Sequence, residues 1–437
     1  MRTLLAVLAV LWAQAAAATP YTVPDSGREA YSRPFGGLTD AQMESFYRGR
    51  SLFNQNWVIA PAKEGQGLGP LYNRLGCVSC HPREGRGAPP DGPEMRMQSM
   101  LVRISIPGVD AHGGPKPHPA YGTQLNEEGI PGVPGEGRAM LSWVESFVTL
   151  ADGEKIAMRR PEINFVDLGY GPLGEILISP RVGQQVYGLG LLDAVDDSTL
   201  EHFAKARKPD GVRGRVNRVW DQEGGRMAIG RFGYKANVPT LRDQIAGAAN
   251  GDIGITSVIF PQENCMPSQR ACLDAPSGGY PELSAKDLDD MAFHMAHLAV
   301  PGPRNTDAKR GDALFSKLGC ALCHRRNLVT GNSKFPELAH RTIHPYTDLL
   351  IHDMGNGLSD GRPDYLAGGS EWRTAPLWGI GLAAKINGHA GYLHDGRART
   401  LSEAVLWHGG EARRSRDRFA ALPAEERRAL IDYLDSL

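Results

Sequence analysis

The pentapeptide Cys-x-x-Cys-His occurs twice in the 437-residue chain, as Cys77-Val78-Ser79-Cys80-His81 and as Cys320-Ala321-Leu322-Cys323-His324. No other feature of the sequence constrains the fold so tightly. Two thiols on one turn can form thioethers with the vinyl groups of a haem, and the adjacent imidazole can take the iron from one side, which is the attachment pattern of c-type haem. Chance thiols in turns, or a zinc site, are the plainer uses of such pairs. Recurrence of the full five-residue pattern favours haem. The expectation is two covalent haem c groups, held by Cys77, Cys80, Cys320 and Cys323, with His81 and His324 as iron ligands.

Residues 1–18 have the form of a secretory leader: Arg2 supplies the positive charge, residues 3–12 the apolar core, and Ala16-Ala17-Ala18 a small-residue cleavage site. The apolar run is too short to span a bilayer, and no later segment is long and apolar enough, so a soluble periplasmic protein is expected. An oxidising compartment suits Cys265 and Cys272 as a loop disulfide. A redox-active dithiol is the alternative, although nothing around this pair is built to lower a thiol pKa. Lys and Arg number 48 against 49 Asp and Glu, a formal charge of −1. With no basic run, nucleic acid is not an expected partner.

The chain beyond the leader divides into two related units, residues 19–300 and 301–437, joined at Pro301-Gly302-Pro303. In the second, an amphipathic helix over 307–318 leads into Cys320 and a helix over 424–437 closes the chain. In the first, residues 71–75 precede Cys77 and a helix over 285–298 closes the unit. Between these ends, Ser179-Pro180-Arg181 through Tyr187-Gly188 parallels Arg373-Thr374 through Trp378-Gly379, and Phe232-Gly233-Tyr234 through Thr240-Leu241 parallels Tyr392-Leu393-His394 through Thr400-Leu401. The first unit is about a hundred residues longer, mainly in a Gly/Pro-rich stretch from 85 to 137 and the segment after it, which is expected to form surface loops. The expected fold is mainly α: two cytochrome c-like helical domains with long irregular loops, their haems facing the domain interface.

Register makes the two sites unequal. On the helix from Leu401, positions Leu401, Ala404, Val405 and His408 share a face. His408, just before Gly409-Gly410, is therefore the candidate sixth ligand opposite His324. Met354 is the competing ligand, and an interfacial histidine the plainer reading. Aligning Thr240 on Thr400 puts Ala248 where His408 falls, leaving the iron above His81 open unless His112 or His118 from the insertion fills the place. Asp252, in Asn250-Gly251-Asp252, and Gln244 are candidate proton-handling groups beside bound peroxide. Turn capping is the simpler role for Asp252. His294 and His297, with Met291 and Met295, fit a helix face better than a metal site, and Trp143, Trp378 and Trp407 fit packing roles.

The chain resembles the bacterial di-haem oxidoreductases, a family also labelled peroxidase or thiol oxidoreductase and grouped with di-haem cytochrome c peroxidases and MauG-type enzymes. The resemblance rests on Asn217-Arg218-Val219-Trp220-Asp221, Gly230-Arg231-Phe232-Gly233-Tyr234-Lys235-Ala236, Tyr346-Thr347-Asp348-Leu349-Leu350 and Tyr392-Leu393-His394-Asp395-Gly396-Arg397. It covers nearly the whole chain beyond the leader. The peroxidases carry methionine at the place of His408, and MauG-type enzymes carry tyrosine. Asp252 stands in a string one residue shorter than that bearing the peroxidases' catalytic glutamate. The resemblance implies that Tyr234, near a tryptophan between the haems of relatives, is an electron-hopping station. It also implies an interdomain calcium near Asp353 and Asp395. The implied activity is peroxide reduction at haem 1 with electron transfer through haem 2, the partners being hydrogen peroxide and a small periplasmic redox protein or an oxidisable protein substrate. The alternatives are a non-catalytic electron-transfer cytochrome and MauG-like oxidation of a protein side chain.

Overall fold

The computed structural model describes residues 19–304 and 308–437. The leader-like segment 1–18 and residues 305–307 lie outside the described residues. In chain order the elements that position the site are helix α1 (Asp40–Asn54), the one-turn helix α2 (Cys77–Cys80), strand β1 (Met100–Ser105), strands β2 (Arg138–Thr149) and β3 (Lys155–Val166), strand β4 (Leu177–Val182), helix α3 (Leu189–Asp193), helix α4 (Leu241–Ala248), helix α5 (Ala285–Ala296), helix α6 (Lys309–Lys317), strands β5 (Ile351–Asp353) and β6 (Glu371–Arg373), helix α7 (Leu401–Leu406) and helix α8 (Ala424–Ser436).

The expectation of a mainly α fold is incorrect. Helix accounts for 29% and strand for 19% of the described residues, with short helices and many small sheets. The stretch expected to form loops supplies much of the difference. β1 pairs antiparallel with β4, from Met100 opposite Val182 to Ser105 opposite Leu177. β2 and β3 form a hairpin of two 12-residue strands, from Arg138 opposite Val166 to Thr149 opposite Lys155. Its residues are mostly only half-buried on either face, so the sequence lacks the clean apolar–polar alternation of a strand covering a core.

The hairpin is an arm that reaches the second half of the chain. Leu150 and Met158 pack in the core cluster of Leu314, Phe315, Phe419 and Leu430. The Ala151 N–H donates to the Ala420 carbonyl at 3.2 Å, and Arg427 pairs with Asp152 at 2.7 Å.

The repeat is visible as matching local structure. α1 crosses α5, and α6 crosses α8. In each case a glycine lies at the crossing: a Cβ on Gly49 would stand 2.0 Å from the Asp290 carbonyl oxygen, and one on Gly311 2.2 Å from that of Ala429. Both glycines belong to the string Arg-Gly-x-x-Leu-Phe, at 48–53 and 310–315. The helix that precedes the first motif is thus α1. Residues 71–75 instead begin with a two-residue strand, Leu71–Tyr72. Further on, Phe232 bridges Val238 and Tyr392 bridges Ala398. Thr240 then caps α4 by accepting from the Asp243 N–H, as Thr400 caps α7 by accepting from that of Glu403.

The two halves meet through equivalent residues. Gly188 and Gly379 are both left-handed, φ 72° and 70°. A Cβ on Gly188 would lie 2.5 Å from the Trp378 ring, and one on Gly379 2.6 Å from the Tyr187 hydroxyl. That hydroxyl donates to the Trp378 carbonyl at 3.0 Å, while Tyr31 stacks on Tyr187 with centroids 4.2 Å apart and donates to the Gly379 carbonyl at 2.6 Å. Gly188→Ala is expected to destabilise the protein by about 2–5 kcal/mol, combining left-handed strain with overpacking. Gly37→Ala, at φ 80° with nothing within 4 Å, should cost only about 1–2 kcal/mol. Urea denaturation midpoints of the two variants check the difference.

Candidate functional site

Two adjoining cavities lie on either side of this contact. The first has a volume of about 490 Å³, and its wall includes Cys80, His81, Gln244, Ala248 and Asp252. The second, about 210 Å³, is lined by Cys320, Cys323, His324, His408 and Met354. Tyr187, Tyr234 and Arg373 belong to both walls.

The histidines are oriented by backbone carbonyls. His81 Nδ1 lies 2.5 Å from the Gln184 carbonyl oxygen, His324 Nδ1 2.9 Å from that of Tyr346, and His408 Nδ1 2.7 Å from that of Ala404. A carbonyl can only accept, so Nδ1 carries the hydrogen in each ring and the Nε2 lone pair is left for a metal. Burial lowers the pKa of all three. For His324, burial and then the proximity of His408 bring it to about 4. α7 ends at Leu406, two residues before His408, but the His408 N–H still donates to the Val405 carbonyl at 3.1 Å. The helical turn therefore carries the imidazole onto the expected face.

Cys77, Cys80, Cys320 and Cys323 are free thiols. Burial pushes Cys77, Cys80 and Cys320 up to about 12. Thiols held protonated are poor redox or metal-binding thiolates. The donor set fits covalently attached haem: free thiols paired on single turns, and beside each pair an imidazole with Nε2 uncommitted. Cys265 and Cys272 are at disulfide distance, Cα–Cα 5.7 Å.

In the first cavity, α4 runs on into a π-helical turn, Ala249–Ile253, which Gly254 closes at φ 77°. Such widened turns often accompany functional sites. Here it presents Asp252, whose Oδ1 accepts from Gln124 Nε2 at 2.8 Å, and the same nitrogen donates to the Gly251 carbonyl at 2.8 Å. Gln244 Oε1 is buried and has no hydrogen-bond partner among the described residues. Neither insertion histidine lines the cavity. His118 uses both ring nitrogens, Nε2 on the Leu173 carbonyl and Nδ1 on the Ala120 N–H, each at 3.1 Å. His112 is exposed and stacks on Trp220 at 3.9 Å. Met100 and Met295, whose thioether sulfurs are able to ligate iron, also line the wall.

Tyr234 is buried between the cavities. It donates to the Val182 carbonyl at 3.1 Å and stands edge-on to Trp372 and His394, which stack on one another at 3.7 Å. Of the residues read as helix packing, His294 is fully buried, and His297 contacts the Phe293 carbonyl at 2.8 Å and Glu337 at 2.6 Å. Near the expected calcium position, Asp395 is bound by Arg397 at 2.6 Å and Asp353 Oδ1 accepts from the Gly355 N–H. Among the described residues no group of three or more His, Cys, Asp and Glu side chains is arranged to hold a metal ion, and no helix is long and apolar enough to cross a membrane.

The family described as "Di-haem oxidoreductase, putative peroxidase" matches residues 12–437. The chain belongs to this family. Membership implies haem cofactors and oxidoreductase chemistry, and the match spans both cavities. No curated protein and no solved structure matches the chain.

Sequence reasoning missed the charged support behind Cys323. His352 Nε2 meets Asp348 at 3.0 Å and Nδ1 meets Glu411 at 2.7 Å, with the Cys323 Sγ at 3.6 Å. Lys208 adds a bond to Asp348 at 2.8 Å. Burial alone would lower the His352 pKa, but hydrogen bonds to Asp348, Cys323 and Glu411 outweigh it and raise it to about 12. A histidine that gains a proton on folding stabilises the protein fully below its unfolded pKa of about 6.5 and progressively less as pH climbs toward the folded value. The contribution of His352 to stability should therefore fall from pH 6.5 to 9. His352→Gln should flatten that slope by about one proton and cost about 3–5 kcal/mol at pH 6.5. Urea denaturation across this pH range measures both.

Proposed function

We propose that the protein is a periplasmic di-haem c-type oxidoreductase of peroxidase type, reducing hydrogen peroxide at the first cavity with electrons that arrive by way of the second. The carrying observation is the asymmetry of a repeated structure. Equivalent Thr-capped helices place His408 on the second wall and Ala248 on the first. The second wall thus carries both His324 and His408, whereas the first carries His81 and, at the position matching His408, only the methyl group of Ala248.

Reducing one peroxide to two waters consumes two electrons and two protons. Bound haem supplies the redox-active iron that no side chain provides. Asp252, fixed by Gln124, is a carboxylate able to take a proton from one peroxide oxygen and return it to the other. The unpartnered Gln244 Oε1 accepts a hydrogen bond from peroxide and orients it. Tyr234 lines both cavities and abuts the Trp372–His394 stack of the second wall, which makes it the route for electrons between them. The reductant is a small periplasmic redox protein, and the leader over 1–18 is the exporting signal.

Met100 and Met295 on the first wall support a second reading, an electron-transfer cytochrome with both irons six-coordinate. The ferric electron paramagnetic resonance spectrum separates the two. A high-spin signal that cyanide converts to low-spin supports the peroxidase, whereas low-spin signals indifferent to cyanide and peroxide reject it. Asp252→Asn should lower peroxide turnover about 10²–10⁴-fold with both haems attached, and unimpaired turnover would remove Asp252 from the mechanism. His408→Ala should turn one low-spin haem high-spin; an unchanged spectrum would transfer the ligand role to Met354.

A further inference from the structure

Arg373, at the end of β6, is half-buried and pairs with no carboxylate among the described residues. Its Nε donates to the Gly233 carbonyl at 2.9 Å, Nη1 to the Thr374 carbonyl at 3.4 Å and Nη2 to Gln184 Oε1 at 3.0 Å. All three acceptors are neutral. Several buried cations nearby are matched: Arg181 and Arg362 share Asp364 at 3.2 and 3.3 Å, Lys235 has Asp360 at 3.0 Å, and Arg397 has Asp395 at 2.6 Å. Arg103 on the first wall and Arg86 on the second also pair with no carboxylate among the described residues, but of the arginines that line the cavities only Arg373 lines both. Among the described residues no carboxylate forms an ion pair with Arg373. Burial lowers its guanidinium to about 10, and the neighbour opposing this is the phenol of Tyr234.

An ion taken from water without a partner costs several kcal/mol, so an interior cation of this kind implies an anion that completes it. Arg373 lines both cavities, and a haem brings two propionate carboxylates. Gln184 links the same cation to the first site, since its side chain accepts from Arg373 while its backbone carbonyl holds His81 Nδ1. The alternative placement, one cofactor only, would not use the second wall.

We infer that Arg373 is the shared counter-ion of the two cofactors, its missing carboxylates being propionates of the haems in both cavities. The inference rests on the di-haem reading. A cation held between two irons favours the less positive, ferrous state of each, so one side chain sets both reduction equilibria together. The planar guanidinium can serve two carboxylates at once, which an ammonium does less well, although lysine keeps the charge.

Spectroelectrochemical titration of the holoprotein tests this, with haem content of every sample counted by intact mass. Arg373→Gln should retain two haems and shift both ferric–ferrous equilibria at least tenfold toward ferric, about 59 mV for a tenfold change at one electron. Arg373→Lys should keep both equilibria within about threefold of the parent while shifting the propionate bending modes of both haems in resonance Raman spectra. A shift at one haem alone, no shift at either, or equal shifts in the Lys and Gln proteins would overturn the inference. Should Arg373→Gln fail to accumulate, unchanged propionate modes in Arg373→Lys would overturn it as well. Fewer than two haems in the parent protein would instead reject the di-haem reading.

Discussion

The reciprocal contact of Tyr187-Gly188 with Trp378-Gly379 is the constraint on which the rest depends. Each glycine leaves room for the partner's aromatic side chain, and the Tyr187 and Tyr31 hydroxyls donate across the junction to the Trp378 and Gly379 carbonyls. Neither side tolerates a Cβ. The backbones of the two halves are consequently brought close at one point, and the cavities on either side share walls. A looser junction would separate the cavities and interpose water, whose dielectric weakens the electrostatic coupling that a shared cation provides.

Around this junction the same local devices recur with different outcomes. A carbonyl fixes each ring tautomer, a threonine caps each helix, and a five-residue loop closes before each cap. What differs is the eighth residue beyond the cap. His408 extends the turn of α7 through its backbone, whereas Ala248 continues α4 into the π turn that presents Asp252. The small residue and the widened turn belong together: one leaves space and the other delivers a carboxylate to it.

Much of the candidate site was legible because it is local. The thiol pairs, their histidines and the register of His408 follow from spacing along single turns. Asp252 and Gln244 follow from the neighbouring helix. The partners that hold these groups come from far along the chain and leave no local pattern: Gln124 reaches Asp252 from the insertion, and Arg373, Trp372 and His394 meet Tyr234 from the other half. The fold was less legible. The hairpin has no fully buried face, so its strands lack the alternation by which strands are recognised. α1 was missed although its Arg-Gly-x-x-Leu-Phe string recurs in α6, a repeat that would have located both crossing glycines. The neighbouring residues Thr240 and Thr400, by contrast, both cap helices in the structure.

The arm formed by β2 and β3 has a consequence for synthesis. Its tip packs on Phe419 and Leu430 and bonds to Ala420 and Arg427, which lie more than 250 residues later in sequence. During vectorial emergence of the chain, a long two-stranded ribbon must wait with Leu150 and Met158 uncovered until nearly the last residues appear. Two-stranded ribbons are marginal in isolation. The arm therefore stays unanchored until the C-terminal helix α8, which supplies Arg427 and Leu430, is complete.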